Sequence, residues 1–169
     1  VGGLVGEMAG AKIRECFFAG TVKPKSAALK GTKNDGFGGL VGRSYSSSGL
    51  IIDNYNAGNI EVADGGYYDE TARKNGSVWI IESNIARAGG LVGELLAGKV
   101  EKNYSIGKVV GVTSDFNRTR SGAKNDKQYY TGLGALFGSV DKSHYIASDN
   151  FWDACETGIP ERGFGVGPG

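Results

Sequence analysis

The chain has 169 residues, with 19 Lys+Arg against 18 Asp+Glu and two cysteines; this length fits one globular domain, and the balanced charge gives no electrostatic argument for nucleic acid or an anionic membrane. Glycine supplies 30 of the residues, about 2.5 times its usual share; the absence of a Gly-X-Y period excludes collagen and leaves close backbone packing as the feature to explain. No apolar run approaches the ~18 residues of a membrane-spanning helix, no secretory leader is recognisable, and a chain starting at Val1 without Met reads as an excised or processed segment.

In chain order, the first element is Gly2-Gly3-Leu4-Val5-Gly6, followed by Ile13-Arg14-Glu15-Cys16-Phe17 and by Gly20-Thr21-Val22. The same three elements return as Gly38-Gly39-Leu40-Val41-Gly42, Ile51 to Tyr55 and Gly58-Asn59-Ile60. They return again as Gly89-Gly90-Leu91-Val92-Gly93, Val100 to Tyr104 and Gly107-Lys108-Val109. A fourth, altered copy keeps Gly134-Ala135-Leu136-Phe137-Gly138 and Asp149-Asn150-Phe151. The Cys/Asn position follows the second residue of each motif by thirteen, fifteen, thirteen and fifteen residues. The chain therefore reads as one domain over 1–169, with repeat cores 2–22, 38–60, 89–109 and 134–155 and inserts 23–37, 61–88 and 110–133.

Each core is too short and too glycine-punctuated for helices, and its β-branched and aromatic residues alternate with polar ones, so three short β-segments are expected per repeat. Stacking them predicts an all-β fold, a right-handed parallel β-solenoid of about four coils with loop insertions. Leu4, Leu40, Leu91 and Leu136 would form a core ladder, Cys16, Asn54, Asn103 and Asn150 a corner ladder, and Phe17, Tyr55, Tyr104 and Phe151 a row beside it. The glycines are expected to supply positive φ at corners and close approach between coils. A four-bladed β-propeller is the alternative, with Ser77 to Glu82 as a source of a fourth strand. Cys16 and Cys155 are expected to be free thiols, because about three coil spacings of ~4.8 Å exceed the ~7 Å reach of a disulfide. Phe151 and Trp152 read as a cap, whereas the abrupt GGLVG start predicts further coils or a capping element before Val1.

The GGLVG segment followed by I-x-x-N/C-Y/F-x-x-G-x-V resembles the GLUG repeat, and Asn150-Phe151-Trp152-Asp153 is similar to the aromatic segment that ends such arrays. The resemblance covers three good copies and a degenerate fourth. It implies a module of a large secreted or surface-attached bacterial protein, adhesin-like or in the noncatalytic region of an immunoglobulin A-cleaving metallopeptidase. The long inserts and the Ala135 and Phe137 replacements depart from the pattern.

Catalytic chemistry finds little support. The one histidine, His144, cannot make the two-His site of a zinc peptidase, and no G-x-S-x-G elbow accompanies it; it is expected at the surface. Asp53, Glu101, Lys102 and Asp149 fall in the second segment and could line a carbohydrate-active face, but no two carboxylates recur at fixed positions in adjacent coils, and a solvated strand face is the plainer reading. Lys33-Asn34-Asp35-Gly36, Lys74-Asn75-Gly76 and Lys124-Asn125-Asp126 read as turns rather than calcium sites. No catalytic residue, metal site or cofactor is expected. Tyr67, Tyr68, Arg118, Arg120, Tyr129 and Tyr130 in the inserts are candidate recognition residues, alternatively loop anchors. The combined expectation is a noncatalytic extracellular binding or scaffold module at the bacterial cell surface or secreted. Its partners would be a host protein or glycan and further domains of the same parent chain, not nucleic acid and not the membrane interior. The alternatives are a carbohydrate-active β-solenoid enzyme and a passive spacer beside a peptidase domain.

Overall fold

The computed structural model describes residues 1–23, 36–62, 69–75, 78–84, 87–110, 133–141, 144–159 and 164–166. The first repeat contributes β1 (Val5–Met8), β2 (Lys12–Arg14), β3 (Phe17–Phe18) and β4 (Thr21–Val22). The second contributes β5 (Gly36–Gly38), β6 (Val41–Ile52), β7 (Tyr55–Asn56) and β8 (Asn59–Glu61), followed by β9 (Asp69–Asn75) and β10 (Val78–Asn84). The third holds β11 (Arg87–Gly89), β12 (Val92–Glu101), β13 (Tyr104–Ser105) and β14 (Val109–Val110). Then come β15 (Leu133–Gly134), β16 (Phe137–Val140), β17 (Tyr145–Ser148), β18 (Phe151–Trp152), the single-turn helix α1 (Ala154–Thr157) and β19 (Phe164–Val166).

The described residues are all-β apart from that turn, and every sheet except the β9–β10 hairpin is parallel. Equivalent strands of successive repeats pair with one another, giving the orders β1-β6-β12-β16-β19, β5-β11-β15, β3-β7-β13-β18 and β4-β8-β14, with β2 beside β6 and β17 beside β12. Val5, Val41, Val92 and Phe137 stand in one register row, and Thr21 and Val22 pair with Asn59 and Ile60. The hairpin β9–β10 is antiparallel and pairs within itself, so residues 78–84 of the second insert do not extend any of the four stacked sheets.

Two expectations about the repeat need correction. GGLVG is not one strand: Gly38 ends β5, Gly39 and Leu40 make a bend, and Val41 begins β6. The bend is held across repeats, because the Leu40 carbonyl accepts from Leu4 N and Val5 N at 3.0 Å each, and the Leu91 carbonyl accepts likewise from Leu40 N and Val41 N. The last residues of each insert are also sheet rather than loop, so each full repeat has a fourth segment. Phe37, Ala88 and Leu133 are buried there with Val22, Ile60, Val62 and Val109 in one apolar cluster, while Leu40, Leu91, Val92, Leu95, Val100 and Phe137 centre the other. These residues read as insert only because no short motif precedes the double glycine.

The corners also depart from the expectation. At the Cys/Asn corner positive φ falls on Glu15, Asp53, Lys102 and Asp149, at 53° to 56°, rather than on glycine; the positive-φ glycines, Gly10, Gly98 and Gly158, lie elsewhere. The glycines instead permit contact. A Cβ on Gly3, Gly39 or Gly90 would press into Phe18, Asn56 or Ser105, the inner row of the β3-β7-β13-β18 sheet. In the core ladder, Leu40 and Leu91 are fully buried and Leu136 nearly so, but Leu4 is 41% exposed because it forms the outermost rung. Phe151 and Trp152 form β18, the last strand of the β3-β7-β13-β18 sheet, whereas the β16 sheet continues with one further strand, β19. Cys16 and Cys155 are free thiols. Among the described residues no helix is long and apolar enough to cross a membrane.

Candidate functional site

The corner is built from asparagine. Cys16 N donates to Asn54 Oδ1 at 2.9 Å, Asn54 N to Asn103 Oδ1 at 2.9 Å, and Asn103 N to Asn150 Oδ1 at 3.1 Å. The amide nitrogens bond back to the main chain, Asn54 to Ile13 O, Asn103 to Ile51 O and Asn150 to Val100 O, at 2.8–3.1 Å. Asn is suited to this position because its amide has an acceptor and two donors in one plane. The preceding residue takes the left-handed conformation that turns the chain, which costs on the order of 1–3 kcal/mol for a non-glycine and is held by these bonds.

Immediately after the corner, Phe17, Tyr55, Tyr104 and Phe151 share a register row. Phe17 and Tyr55 stack at 5.4 Å between ring centroids, with 9° between planes, and Tyr55 and Tyr104 at 5.8 Å and 20°. Because the rings cover one another's faces, the row turns edges outward. Phe17 is 58% and Phe151 63% exposed, and Tyr104 is exposed too. Beside the row run the four turn residues Glu15, Asp53, Lys102 and Asp149. An open groove lies between the third and fourth rungs, lined by Lys102, Asn103, Tyr104, Asp149, Phe151 and Trp152. The indole of Trp152 is fixed by donating Nε1–H to Ile159 O at 3.2 Å.

The four residues considered for carbohydrate chemistry thus divide. Asp53, Lys102 and Asp149 sit in the turn, outside the strand, and Glu101 is the last residue of β12. Asp53 pairs with Arg14 Nε at 3.3 Å. Glu101 pairs with Lys99 Nζ at 2.9 Å and accepts from Ser148 Oγ at 3.1 Å. The Lys99 hydrogen bond, helped by Ser148 and by the charges of Lys99 and Lys102, holds the Glu101 carboxyl below its ordinary range despite some opposing desolvation. A general acid needs the opposite shift. With a lowered native pKa, the Glu101 contribution to stability is present above its unfolded value and is lost as pH falls through the native one. Lys99→Ala is therefore expected to move the Glu101 titration midpoint upward in a side-chain NMR titration; an unmoved midpoint would mean that Lys99 does not hold it.

A buried charge cluster escaped the sequence reading. Glu94 is 3% exposed, with Arg87 Nη1 2.7 Å from Oε1 and Arg43 Nε 2.9 Å from Oε2. The Arg43 contact is an ion pair without an aligned hydrogen bond, and the Arg43 guanidinium also lies 5.7 Å from the Tyr45 ring centroid. The signal was present in the alignment, since the residue after each glycine motif is Glu7, Arg43, Glu94 and Ser139 in turn, a row the structure pairs directly. Removing one partner of a buried pair strands the other charge, so the cluster reads as a tie between repeats rather than a reactive centre.

The insert residues Tyr67, Tyr68, Arg118, Arg120, Tyr129 and Tyr130 lie outside the described residues, as do Lys33, Asn34, Asp35 and residues 124–126; Lys74 and Asn75 end strand β9. His144 is exposed, and its carbonyl accepts from Gly98 N at 3.2 Å. Among the described residues no group of three or more His, Cys, Asp or Glu could hold a metal ion. No family model, curated protein or solved structure matches the chain.

Proposed function

We propose that the chain is a noncatalytic binding module, built as a right-handed parallel β-solenoid, from a secreted or surface-attached bacterial protein of the GLUG-repeat kind. The solenoid reading is supported by parallel pairing between successive repeats in all four stacked sheets, where a propeller blade would pair its strands antiparallel. Crossovers between parallel strands of one sheet are right-handed in about 98% of cases, which supports the hand. The extracellular bacterial setting rests on the repeat resemblance.

The observation that carries binding is the aromatic row of Phe17, Tyr55, Tyr104 and Phe151, exposed except at the half-buried Tyr55 and flanked by the charged turn row. Aromatics edged by charge are characteristic of recognition surfaces, and the stacked sheets hold these rings in place before any ligand arrives, which lowers the entropic cost of binding. The partner class is a host protein or glycan. Arrays of glycans and host proteins probed with the whole chain test this, together with a Tyr55→Ser, Tyr104→Ser double variant. We expect an array ligand whose affinity falls about tenfold or more in the variant while unfolding stays cooperative. Equal binding by the variant would remove the aromatic row from the site; release of soluble product from a polysaccharide would establish the enzyme instead, and an array with no ligand would leave the spacer.

A further inference from the structure

The spaces between successive rungs of the aromatic row are not alike. Between the first and second, Phe17 stacks on Tyr55, and Arg14 Nε lies 3.0 Å from the Glu15 carboxylate and 3.3 Å from that of Asp53. Between the second and third, Tyr55 stacks on Tyr104. Between the third and fourth the series stops: Tyr104 and Phe151 are register partners, yet among the described residues Phe151 stacks on no ring. The groove opens at this gap, with a volume of about 590 Å³, in the range of small-ligand sites. Its two turn residues, Lys102 and Asp149, are opposite in charge, and among the described residues neither side chain has an ion-pair or hydrogen-bond partner.

The other polar groups at the gap are already bonded. Asn103 Oδ1 accepts from Asn54 N and Asn54 Nδ2, and Asn103 Nδ2 lies 2.8–3.0 Å from Ile51 O, Glu101 O and Asn150 Oδ1. Trp152 Nε1 donates to Ile159 O. The main chains of the two rungs are joined, since Phe151 N donates to Asn103 O and Asp153 N to Ser105 O. A peptide that binds by adding a strand needs an open sheet edge, and this gap has none. It presents aromatic surface, an ammonium that only donates, a carboxylate that only accepts, and no net charge.

This combination selects against charged ligands. An acidic group paired with Lys102 stands about one strand spacing, ~4.8 Å, from the Asp149 corner, and a basic group paired with Asp149 meets Lys102 in the same way. Each gains one attraction and one repulsion. A hydroxyl avoids the conflict, because it accepts from the ammonium and donates to the carboxylate. Sugar rings carry adjacent hydroxyls together with a face of aliphatic C–H, which packs on the negative face of an aromatic ring.

We propose that this gap is a saccharide subsite, in which an uncharged pyranose packs its C–H face against Tyr104 and Phe151 and sets neighbouring hydroxyls on Lys102 and Asp149. It rests on the reading of the aromatic row as a binding surface, and narrows the partner to a neutral glycan. Lys102 and Asp149 together set the preference over acidic and amino sugars.

The test titrates methyl β-glucoside, methyl β-galactoside and methyl α-mannoside into the isotopically labelled whole chain, with glucuronic acid and glucosamine as charged counterparts. At least one neutral glycoside is expected to shift the Lys102, Tyr104 and Asp149 amides and the Trp152 indole at up to tens of millimolar sugar. Both charged sugars are expected to bind about tenfold more weakly. Asp149→Asn keeps a residue type that tolerates the left-handed corner; it is expected to weaken the neutral glycoside about tenfold, for the loss of a charge-assisted hydrogen bond, and to admit glucuronic acid. Charged sugars binding as well as neutral ones, unchanged binding by Asp149→Asn, or a gap unmoved by every sugar would overturn the proposal. Tyr55→Ser separates the subsite from the row, because Tyr55 belongs to the row and does not line the gap. On a ligand found by array, loss in Tyr55→Ser with full binding by Asp149→Asn would keep the row and sink the subsite. Loss in Asp149→Asn alone would confine the binding surface to the gap, loss in both would support both, and full binding by both would remove both.

Discussion

Gly38→Ala is expected to destabilise the protein by more than about 4 kcal/mol or to prevent folding, the range reached only when a substitution breaks a packed element. A Cβ at this position would overlap the Val41 carbonyl oxygen and stand 2.7 Å from Gly93 N and 2.8 Å from Leu91 O. All three obstacles are backbone, held on both sides by the bonds of the bend, so no rotamer change can relieve them. Gly6 provides the control. It belongs to the same motif in the first repeat, yet a Cβ there meets nothing within 4 Å, and Gly6→Ala is expected to change stability by less than about 1 kcal/mol. Urea denaturation of both variants checks the contrast, and comparable losses would show that the motif glycines are not chosen for close approach.

Leu91→Ala is expected to cost ~2–5 kcal/mol, the range for emptying a closed core site. Leu91 is fully buried, between Leu40 and Leu136 in the ladder, and the Val92 and Leu95 side chains share its cluster. The rung above and the rung below are both pinned by main-chain bonds at the bend, which limits collapse into the cavity. Leu4→Ala removes the same side chain from a position 41% exposed and is expected to cost less than about 1 kcal/mol, because the transfer gain is partial there and no cavity closes over it. Equal midpoint shifts for the two variants in denaturant would contradict the rung order.

The repeat alignment made the vertical relations legible. Leu40 over Leu91, Asn54 over Asn103 and Tyr55 over Tyr104 follow from equal spacing along the chain, because parallel stacking turns sequence equivalence into contact. What happens inside one repeat was less legible. Whether Gly39-Leu40 is strand or bend depends on carbonyl acceptors in the neighbouring repeat, to which no residue type in the motif points. The positive φ of Asp53 and Lys102 was hidden for a related reason: propensity favours glycine there, and the Asn that follows supplies the compensating bonds. Phe37, Ala88 and Leu133 were assigned to inserts because their preceding residues share no pattern, although their burial shows that each insert returns to the core before the glycines. Glu94 was overlooked because a charged residue after an apolar motif normally faces water, and its two arginine partners come from 43 and 87, one in the repeat below and one across the bend.

The long strands also bear on which length changes the fold can absorb. From the first core residue after the bend to the buried residue before the corner there are eight steps in β12, Val92 to Val100, and ten in β6, Val41 to Ile51, yet both pairs meet in register. The two additional residues of β6 are taken up between Ser44 and Leu50, where the ladder is interrupted and Ser44 Oγ reaches across to Ala97 O at 2.9 Å. Side chains on a strand alternate faces, so a net difference of two returns the chain to the same face, and a difference of one left uncompensated by a bulge would turn Ile51 and everything up to the corner outward. The net change in length in this part of the repeat is therefore governed by parity. The bend and the corner are fixed stations, and the bulges between them offset one another so that the net difference between β6 and β12 is even.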